Sequence, residues 1–384
     1  MLSKVERLPV HKTSERVAVL LNANAKSVSE KLRRQLEAFV PADDLFFSRT
    51  FDEARSIART VLSRGYRTVL TGGGDGTFVG FANCIMDAAE RPESFAASSG
   101  GAALRLAPAA FPIPRFGVLK LGTGNAVAGL SGASGRRVGV VEDILRARSG
   151  EASHTQLLHL LQVDGKRAPF AGCGIDAKLL NDYCDLKKKL AGGPFAFAGA
   201  GGLGYFCSIT GKTLPHYTFG RGGVPQIEVV NLGGPCQQIG PDGLPVGREI
   251  AHGEILYKGA CKMAAAGTVP FYGFGFTMFP HALRSPGRFQ LRLTAIGVPK
   301  ILANLRKIWK GGTPSGILDF HCEKVRIRFD RQMPFQVGGD AEGYRREVVL
   351  EMAERPLELL DFRARPHHRA LPRPADHALI SASM

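Results

Sequence analysis

This sequence of 384 residues lacks several features that would each indicate a particular class of protein. Its seven cysteines are scattered and never spaced as Cys-x-x-Cys, which argues against a disulfide framework or a zinc site and favours reduced thiols in a cytosol. Long apolar runs are scarce. The segment most similar to a membrane span, residues 191–210, is too rich in glycine to be a convincing one. The polar N-terminus has no apolar core of a secretory signal. We therefore expect a cytoplasmic protein that touches membranes without spanning them.

Acidic residues are also few relative to basic ones, with 34 against 50, which gives a formal net charge of +16. Such an excess favours polyanionic partners. Nucleic acid is disfavoured because no basic block is interleaved with aromatic residues. We expect a partner at an anionic membrane surface, with the protein peripheral at the inner face. A homodimer is left open.

The order of the predicted elements indicates two domains, since the chain is too long for one ordinary core. Residues 15–150 alternate short apolar strands with amphipathic helices, the rhythm of a doubly wound parallel sheet. Residues 151–353 read as short strands separated by turns. The predicted fold class is α/β, with an N-terminal parallel-sheet domain and a C-terminal, mainly antiparallel β domain. The remaining parts are predicted as a loose leader, a C-terminal return segment and a disordered basic tail, at residues 1–14, 354–365 and 366–384.

A glycine-rich loop follows the third predicted strand and precedes a helix. It consists of Gly72, Gly73, Gly74, Asp75, Gly76 and Thr77. Glycines let a phosphate approach the backbone closely, and the N–H groups at the start of the next helix face an anion. An acid in such a place would repel phosphate unless it binds a cation, usually Mg²⁺, or takes a proton. The alternative is a tight turn that needed glycine.

A second glycine loop has the same setting between a strand and a helix, and consists of Gly122, Thr123, Gly124 and Asn125. The carboxyl ends of parallel strands lie at one edge of the sheet, so both loops are expected on that edge. Two loops able to bind phosphate on one edge predict a single nucleotide site.

Together the motifs GGGDGT and LGTGN resemble those of the diacylglycerol kinase catalytic-domain family. That family includes bacterial lipid kinases and sphingosine kinases and is distantly similar to NAD kinases. Asn22 resembles the end of the family's opening strand, and Thr50 matches its nucleotide-contacting threonine. Gly174 and Asp176 resemble an element near the acceptor site. The resemblance extends over roughly residues 16–362.

The sequence departs from the family's pattern at three places. Ala126 stands where an acid often follows GTGN, and His281 replaces the acid of a Pro-Asp-Ala turn. The family's Asp-Gly-Glu element becomes Gly338-Gly339-Asp340, in which its glutamate is the proposed proton acceptor. Asp340 aligns with that glutamate and is the expected base. Asp75 is the rival base, Glu342 is a stand-in, and a turn acid without chemistry is the alternative.

The resemblance implies an ATP-dependent kinase that uses Mg²⁺ and phosphorylates a lipid hydroxyl, with diacylglycerol as the leading substrate and a sphingoid base as the next. Both glycine loops, Asn22 and Thr50 would bind ATP, Asp75 would also bind the metal, and Gly174 and Asp176 would bind the lipid. The other hypotheses are an NAD kinase, whose usual Asn-Glu motif we do not find, and a nucleotide-binding regulator without turnover. Lys187–Lys189 would suit a lipid headgroup. Trp309 between Lys307 and Lys310 is either a membrane anchor or a packed aromatic residue.

Overall fold

The computed structural model describes residues 16–25, 27–91, 111–122, 124–135, 137–152, 154–175, 177, 223–273 and 275–363. The predicted leader, the basic tail, Lys187–Lys189 and two predicted site residues, Thr123 and Asp176, lie outside these ranges.

A six-stranded sheet forms the first layer, in the order β2-β1-β3-β4-β18-β5. Its strands are β1 Val17–Asn22, β2 Leu45–Ser48, β3 Thr68–Gly73, β4 Arg115–Lys120, β5 Thr155–Leu158 and β18 Leu357–Leu360. The first four strands and β18 run parallel, while β5 is antiparallel to β18. Every residue of β3 is buried, as expected for a parallel strand that is covered on both faces.

Helices connect the parallel strands, and the polar residues that cap them decide where they begin. They are α1 Glu30–Glu37, α2 Phe51–Ser63, α3 Asp75–Glu90, α4 Ala126–Leu130 and α5 Arg137–Arg148. Ser29 caps α1, and Thr50 caps α2 in a reciprocal capping box with Glu53. The alternation of these helices with parallel strands confirms the predicted class of the N-terminal domain.

The second sheet has 12 strands and is antiparallel, as predicted for the C-terminal domain. Its strands are β6 Leu161–Val163, β7 Lys166–Ala168, β8 Phe170–Gly174, β9 Gln226–Asn231, β10 Cys236–Ile239, β11 Pro245–Ile250, β12 Ile255–Ala260, β13 Met263–Gly267, β14 Phe289–Thr294, β15 Ile317–Cys322, β16 Lys324–Val337 and β17 Asp340–Met352. Two short helices, α6 Val298–Ala303 and α7 Leu305–Trp309, lie between β14 and β15.

The strand that follows the predicted boundary between residues 150 and 151 pairs within the first sheet. Residues 151–353 were expected to form the β-rich domain alone, yet β5 lies in the first sheet, paired to β18 over Leu158↔Leu357 to Thr155↔Leu360. The physical reason is that β18 returns from the C-terminal side and pairs with β4, and β5 then pairs with β18. A run that reads as one strand, residues 156–163, is thus divided between the two sheets.

None of the helices in the described ranges is both long enough and apolar enough to cross a bilayer.

Candidate active site

The first glycine loop is tighter than its sequence indicates, because its residues are shared between a strand and a helix. Gly72 and Gly73 end β3, and α3 begins at Asp75, inside the loop motif. Gly74 is the N-cap of α3, and no side chain bonds to the backbone there. The first N–H groups of a helix with this cap are open to an anion. A Cβ placed on Gly73 would lie 2.3 Å from the hydroxyl of Thr77, which explains the glycine.

The second glycine loop touches the first. Because β3 and β4 are parallel neighbours, with Gly73 opposite Lys120, both loops emerge at the same edge of the sheet, as expected. A Cβ on Gly122 would lie 2.1 Å from the Cα of Gly74, so the two backbones are in contact. Asn125 adopts a left-handed conformation, with φ 54°. Its amide accepts from the Gly122 N–H at 3.0 Å and donates to the Gly122 carbonyl at 2.6 Å, which fixes the loop.

Asp75 joins the two loops through its carboxylate. Its Oδ2 accepts from the Ala126 N–H at 3.0 Å, and its Oδ1 accepts from the Val127 N–H at 3.1 Å. The side chain therefore caps α4. Burial raises the pKa of this carboxyl, and the two backbone hydrogen bonds partly oppose that rise. The N–H group of Ala126, which follows the second loop, is thus bonded to the acid of the first loop.

Asn22 and Thr50 lie at the carboxyl ends of β1 and β2, on the edge that carries the glycine loops. The Asn22 amide donates to the Thr77 hydroxyl at 3.0 Å and ties the first strand to the first loop. The Thr50 hydroxyl accepts from the Glu53 N–H at 3.2 Å as the cap of α2. Its hydrogen remains able to donate to a ligand, and a role for Asn22 and Thr50 in ATP binding stays a prediction.

Asp340 reaches this edge from the second sheet. It follows the two-residue turn between β16 and β17, in which Gly338 and Gly339 have φ values of 60° and 90°. A hairpin turn with two positive φ angles favours glycine, asparagine or aspartate, so the Gly338-Gly339 pair suits this turn. A Cβ on Gly76 would lie 3.3 Å from the Asp340 Oδ1. The carboxylate thus faces the first turn of α3.

Lys166 holds the carboxylates of this hairpin, a role that sequence reasoning missed. Its ammonium group lies 3.4 Å from the Asp340 Oδ2 and 2.7 Å from the Glu342 Oε1. Asp340 is more exposed than Glu342, with 56% against 32% of the side chain accessible. Lys166 follows an Asp-Gly turn in the sequence, and nothing in that pattern indicates that it meets a hairpin so distant along the chain.

Two further residues support the site from the second sheet. Gln336 accepts from the Gly339 N–H at 3.0 Å and donates to the hydroxyl of Tyr272, so it braces the turn that presents Asp340. Next to Tyr272, Gly273 adopts φ 118°, and a Cβ there would lie 3.4 Å from the Cα of Gly124. The second glycine loop is therefore in contact with the loop that follows β13 in the second sheet. Sequence reasoning gave no signal for either contact.

Gly174 lies away from this cluster. It ends β8 with φ 100°, and a Cβ there would meet the Lys262 carbonyl at 2.1 Å, so backbone packing alone requires glycine. The hairpin turn bonds to the other end of β8, from the Gly338 N–H to the Phe170 carbonyl. Phe170 and Gly174 are four residues apart along β8, which corresponds to about 13 Å. A role for Gly174 in lipid binding stays a prediction.

The fit of Mg²⁺ to the site depends on Asp75. Within the described ranges, no group of three or more His, Cys, Asp or Glu side chains could hold a metal ion. Both Asp75 oxygens accept a backbone hydrogen bond, and each keeps a second lone pair. The residues therefore fit a magnesium ion that keeps most of its ligands from phosphate and water, which is its usual mode of binding with nucleotides.

His281, the residue in place of an acid, is buried in the second sheet. Only 6% of the surface of His281 is exposed, and neither ring nitrogen bonds to any described residue. Burial lowers its pKa, with nearby Asp319 opposing that fall. It therefore supplies no carboxylate to the site.

Comparisons with known proteins agree with this geometry. Residues 16–157 match the family of the diacylglycerol kinase catalytic domain. The fold is similar to that of a diacylglycerol kinase from Bacillus anthracis str. Sterne, with a TM-score of 0.54 and 12% identity over 90% of this chain and 97% of that one. A second structure from the same organism gives a TM-score of 0.55 and 15% identity over the same shares. No curated protein matches the chain. Residues 16–157 are thus similar to the diacylglycerol kinase catalytic domain, and the chain has the fold of these solved structures.

Proposed function

We propose that this protein transfers the γ-phosphoryl group of ATP to a lipid hydroxyl, with diacylglycerol as the first substrate to test. The observation that carries the proposal is the approach of Asp340 to Gly76, which puts a carboxylate from the second sheet beside a phosphate-binding loop of the first. The phosphate-binding loops and the proposed base come from different domains. The lipid hydroxyl would then bind in a cleft between these domains. The match to a kinase family supports ATP as the donor.

On the ATP side of the site, the protein acts by holding the phosphates in a fixed orientation. The two glycine loops and the open N-terminus of α3 offer backbone N–H groups to the phosphates, while Thr50 can donate a hydrogen bond from the next strand end. When bound with the nucleotide, Mg²⁺ supplies positive charge that offsets the charge developing on the phosphates. Since phosphoryl transfer depends mainly on positioning and electrostatics, fixed loops suit it.

The acceptor side needs a base, and Asp340 suits that role better than Asp75. Each Asp75 oxygen already accepts one hydrogen bond from an N–H group of α4, whereas Asp340 is half exposed and makes one long contact to Lys166. We assign Asp340 to accept the proton of the lipid hydroxyl as its oxygen attacks the γ-phosphorus, while the bond from the γ-phosphorus to the bridging oxygen breaks and ADP leaves. Lys166 holds the carboxylate in place, and Asp75 holds the two loops together.

A panel of acceptors tests the proposal. The full chain is incubated with radiolabelled ATP, Mg²⁺ and, separately, diacylglycerol, a sphingoid base and NAD, and the labelled products are separated. We expect transfer to diacylglycerol above the other two, and transfer chiefly to the sphingoid base would change the substrate within the same proposal. ATP binding without transfer to either lipid would refute a lipid kinase.

A further inference from the structure

A basic and aromatic surface lies on α6 and α7, outside the site described above. Its exposed members are Lys300, Leu305, Arg306, Lys307, Trp309 and Lys310. We call these six residues the α6–α7 surface. No aspartate or glutamate occurs anywhere in residues 298–312, so the segment carries positive charge only.

Packing beneath α7 keeps the apolar members of this surface exposed. Ile308 is buried with Ile296 and Ile317, which fixes the inward side of the helix. Leu305 and Trp309 lie one turn apart on the same side of α7, and 42% and 41% of their surface is exposed. The Trp309 ring stacks on Phe276, with ring centroids 5.2 Å apart. The indole is therefore held in place while one part of it remains open to a partner.

The cations of the α6–α7 surface are not neutralised by acidic side chains of the described residues. Among the described residues, Arg306, Lys307 and Lys310 form no salt bridge, and Lys300 donates to a neutral hydroxyl, that of Ser315. Elsewhere in the second domain, exposed cations such as Lys258 and Lys324 pair with glutamates. An uncompensated cluster of four cations around an exposed indole is complementary to an anionic surface with an apolar interior.

Short links connect this surface to the active site. The Thr277 N–H donates to the Trp309 carbonyl at 3.1 Å, and the Phe276 N–H donates to the Gly273 carbonyl at 2.8 Å. Gly273 in turn touches Gly124 of the second glycine loop. The α6–α7 surface is thus joined through one short loop to the phosphate-binding edge.

We propose that the α6–α7 surface docks on an anionic lipid bilayer. Trp309 and Leu305 enter the interface, where tryptophan is favoured, and the cations contact lipid phosphates. This docking rests on the proposed function, because it brings the cleft beside Gly124 to the membrane that holds a lipid acceptor. A protein partner is less favoured, since two apolar side chains make a small patch, whereas a bilayer needs only a shallow apolar insertion with charge around it.

Vesicle binding tests the proposal with matched variants. The full-length protein is sedimented with vesicles of phosphatidylcholine alone or mixed with phosphatidylglycerol. The variant Lys307→Gln with Lys310→Gln should bind the anionic vesicles about thirtyfold more weakly, from the usual contribution of two cations near an anionic surface. Trp309→Phe should weaken binding to a smaller extent. The control variant Lys31→Gln with Arg34→Gln, on α1, removes two exposed cations elsewhere and should change binding less than about threefold.

The outcomes separate docking from catalysis. Equal losses in both charge variants, or none in either, would overturn the docking surface. Turnover of a short-chain, monomeric diacylglycerol is measured in parallel, and the Lys307 and Lys310 variant should keep it within about twofold because phosphoryl transfer does not use these residues. Selective loss of vesicle binding in a protein that turns over no lipid would support the surface and refute the kinase.

Discussion

The two glycine loops meet where Gly122 lies against Gly74, so a methyl group at this point would push the loops apart. We predict that Gly122→Ala lowers the free energy of unfolding by more than about 1 kcal/mol, because its Cβ cannot fit without backbone movement. ATP affinity should fall at least about tenfold, since loop position sets the contacts to phosphate. Urea unfolding and calorimetric titration with ATP measure the two effects.

Gly80→Ala is the matched control, because a Cβ at this position of α3 meets nothing within 4 Å. Alanine is the better helix former by about 1 kcal/mol, so the control should keep ATP affinity and gain stability. If both variants bind ATP as the wild type does, the close approach of the loops has no role in binding.

At the residue scale, the sequence predicted the type of site but not its connections. Glycines around Asp75 indicated a phosphate loop, and the edge on which they lie follows from the parallel strands. The direction of the Asp75 carboxylate did not follow, because it depends on where the N–H groups of Ala126 and Val127 come to rest. Side-chain partners of this kind arise from tertiary packing, which a local pattern does not encode.

Thr50 combines the cap of a helix with a predicted contact to ATP. We predict that Thr50→Ala lowers the free energy of unfolding by about 1 kcal/mol, the usual cost of losing a threonine cap, and also weakens ATP binding. Thr50→Ser keeps a hydroxyl and should preserve both. An unchanged urea midpoint in Thr50→Ala would contradict the cap, whereas unchanged ATP affinity would contradict the contact.

The buried histidines of the second sheet predict a loss of stability in acid. Burial lowers the pKa values of His281 and His321, while the unfolded chain has the ordinary value of 6.5. Below that value the unfolded state binds more protons than the folded state, so stability falls as the pH falls. We expect a smaller free energy of unfolding at about pH 5.5 than at about pH 7.5.

The variant His281→Gln isolates this effect, since glutamine does not titrate. Its free energy of unfolding should depend less steeply on pH over the same interval than that of the wild type. Identical slopes in the two proteins would show that His281 is protonated as readily in the folded state as in the unfolded chain.

At the element scale, a local cap makes the start of a helix easier to predict than the partner of a strand. Ser29 and Thr50 mark the starts of α1 and α2 because capping is local in the sequence. The strands β16 and β17 are longer than their apolar patterns, since the hairpin continues through polar residues to Gly338 and Gly339. Ladder hydrogen bonds extend the exposed start of β17, whereas the end of β16, from Met333 to Val337, is buried.

The whole molecule depends on the return of the chain to its first sheet. β18 lies between β4 and β5, and its residues Leu357, Leu359 and Leu360 are buried. We predict that deleting residues 354–384 lowers the thermal midpoint by more than about 10 °C or prevents folding, because three leucines worth about 2 kcal/mol each are lost. Deleting residues 364–384 alone should leave the midpoint within about 2 °C. Equal midpoints in the two deletions, measured by calorimetry, would contradict this role.

The arrangement of the two sheets was the least predictable feature. Their connection includes Asn83 of α3, whose amide donates to the Arg167 carbonyl at 2.7 Å and accepts from the Arg167 N–H at 2.8 Å. Each sheet follows from patterns within its own segment, but the contact between them joins residues far apart in the chain. The approach of Asp340 to Gly76 belongs to this class, which is why the resemblance to a family motif indicated Asp340 as a candidate base, while only the structure shows that it lies beside Gly76.

The central claim is that both sheets build one phosphoryl-transfer site in which Asp340 is the base. The most direct test compares ATP affinity with lipid turnover in Asp340→Asn, with Glu342→Gln as the control that keeps the base. We predict that Asp340→Asn binds ATP within about twofold of the wild type and loses turnover by at least about a hundredfold, while Glu342→Gln loses less than about fivefold. Full turnover in Asp340→Asn would contradict the account.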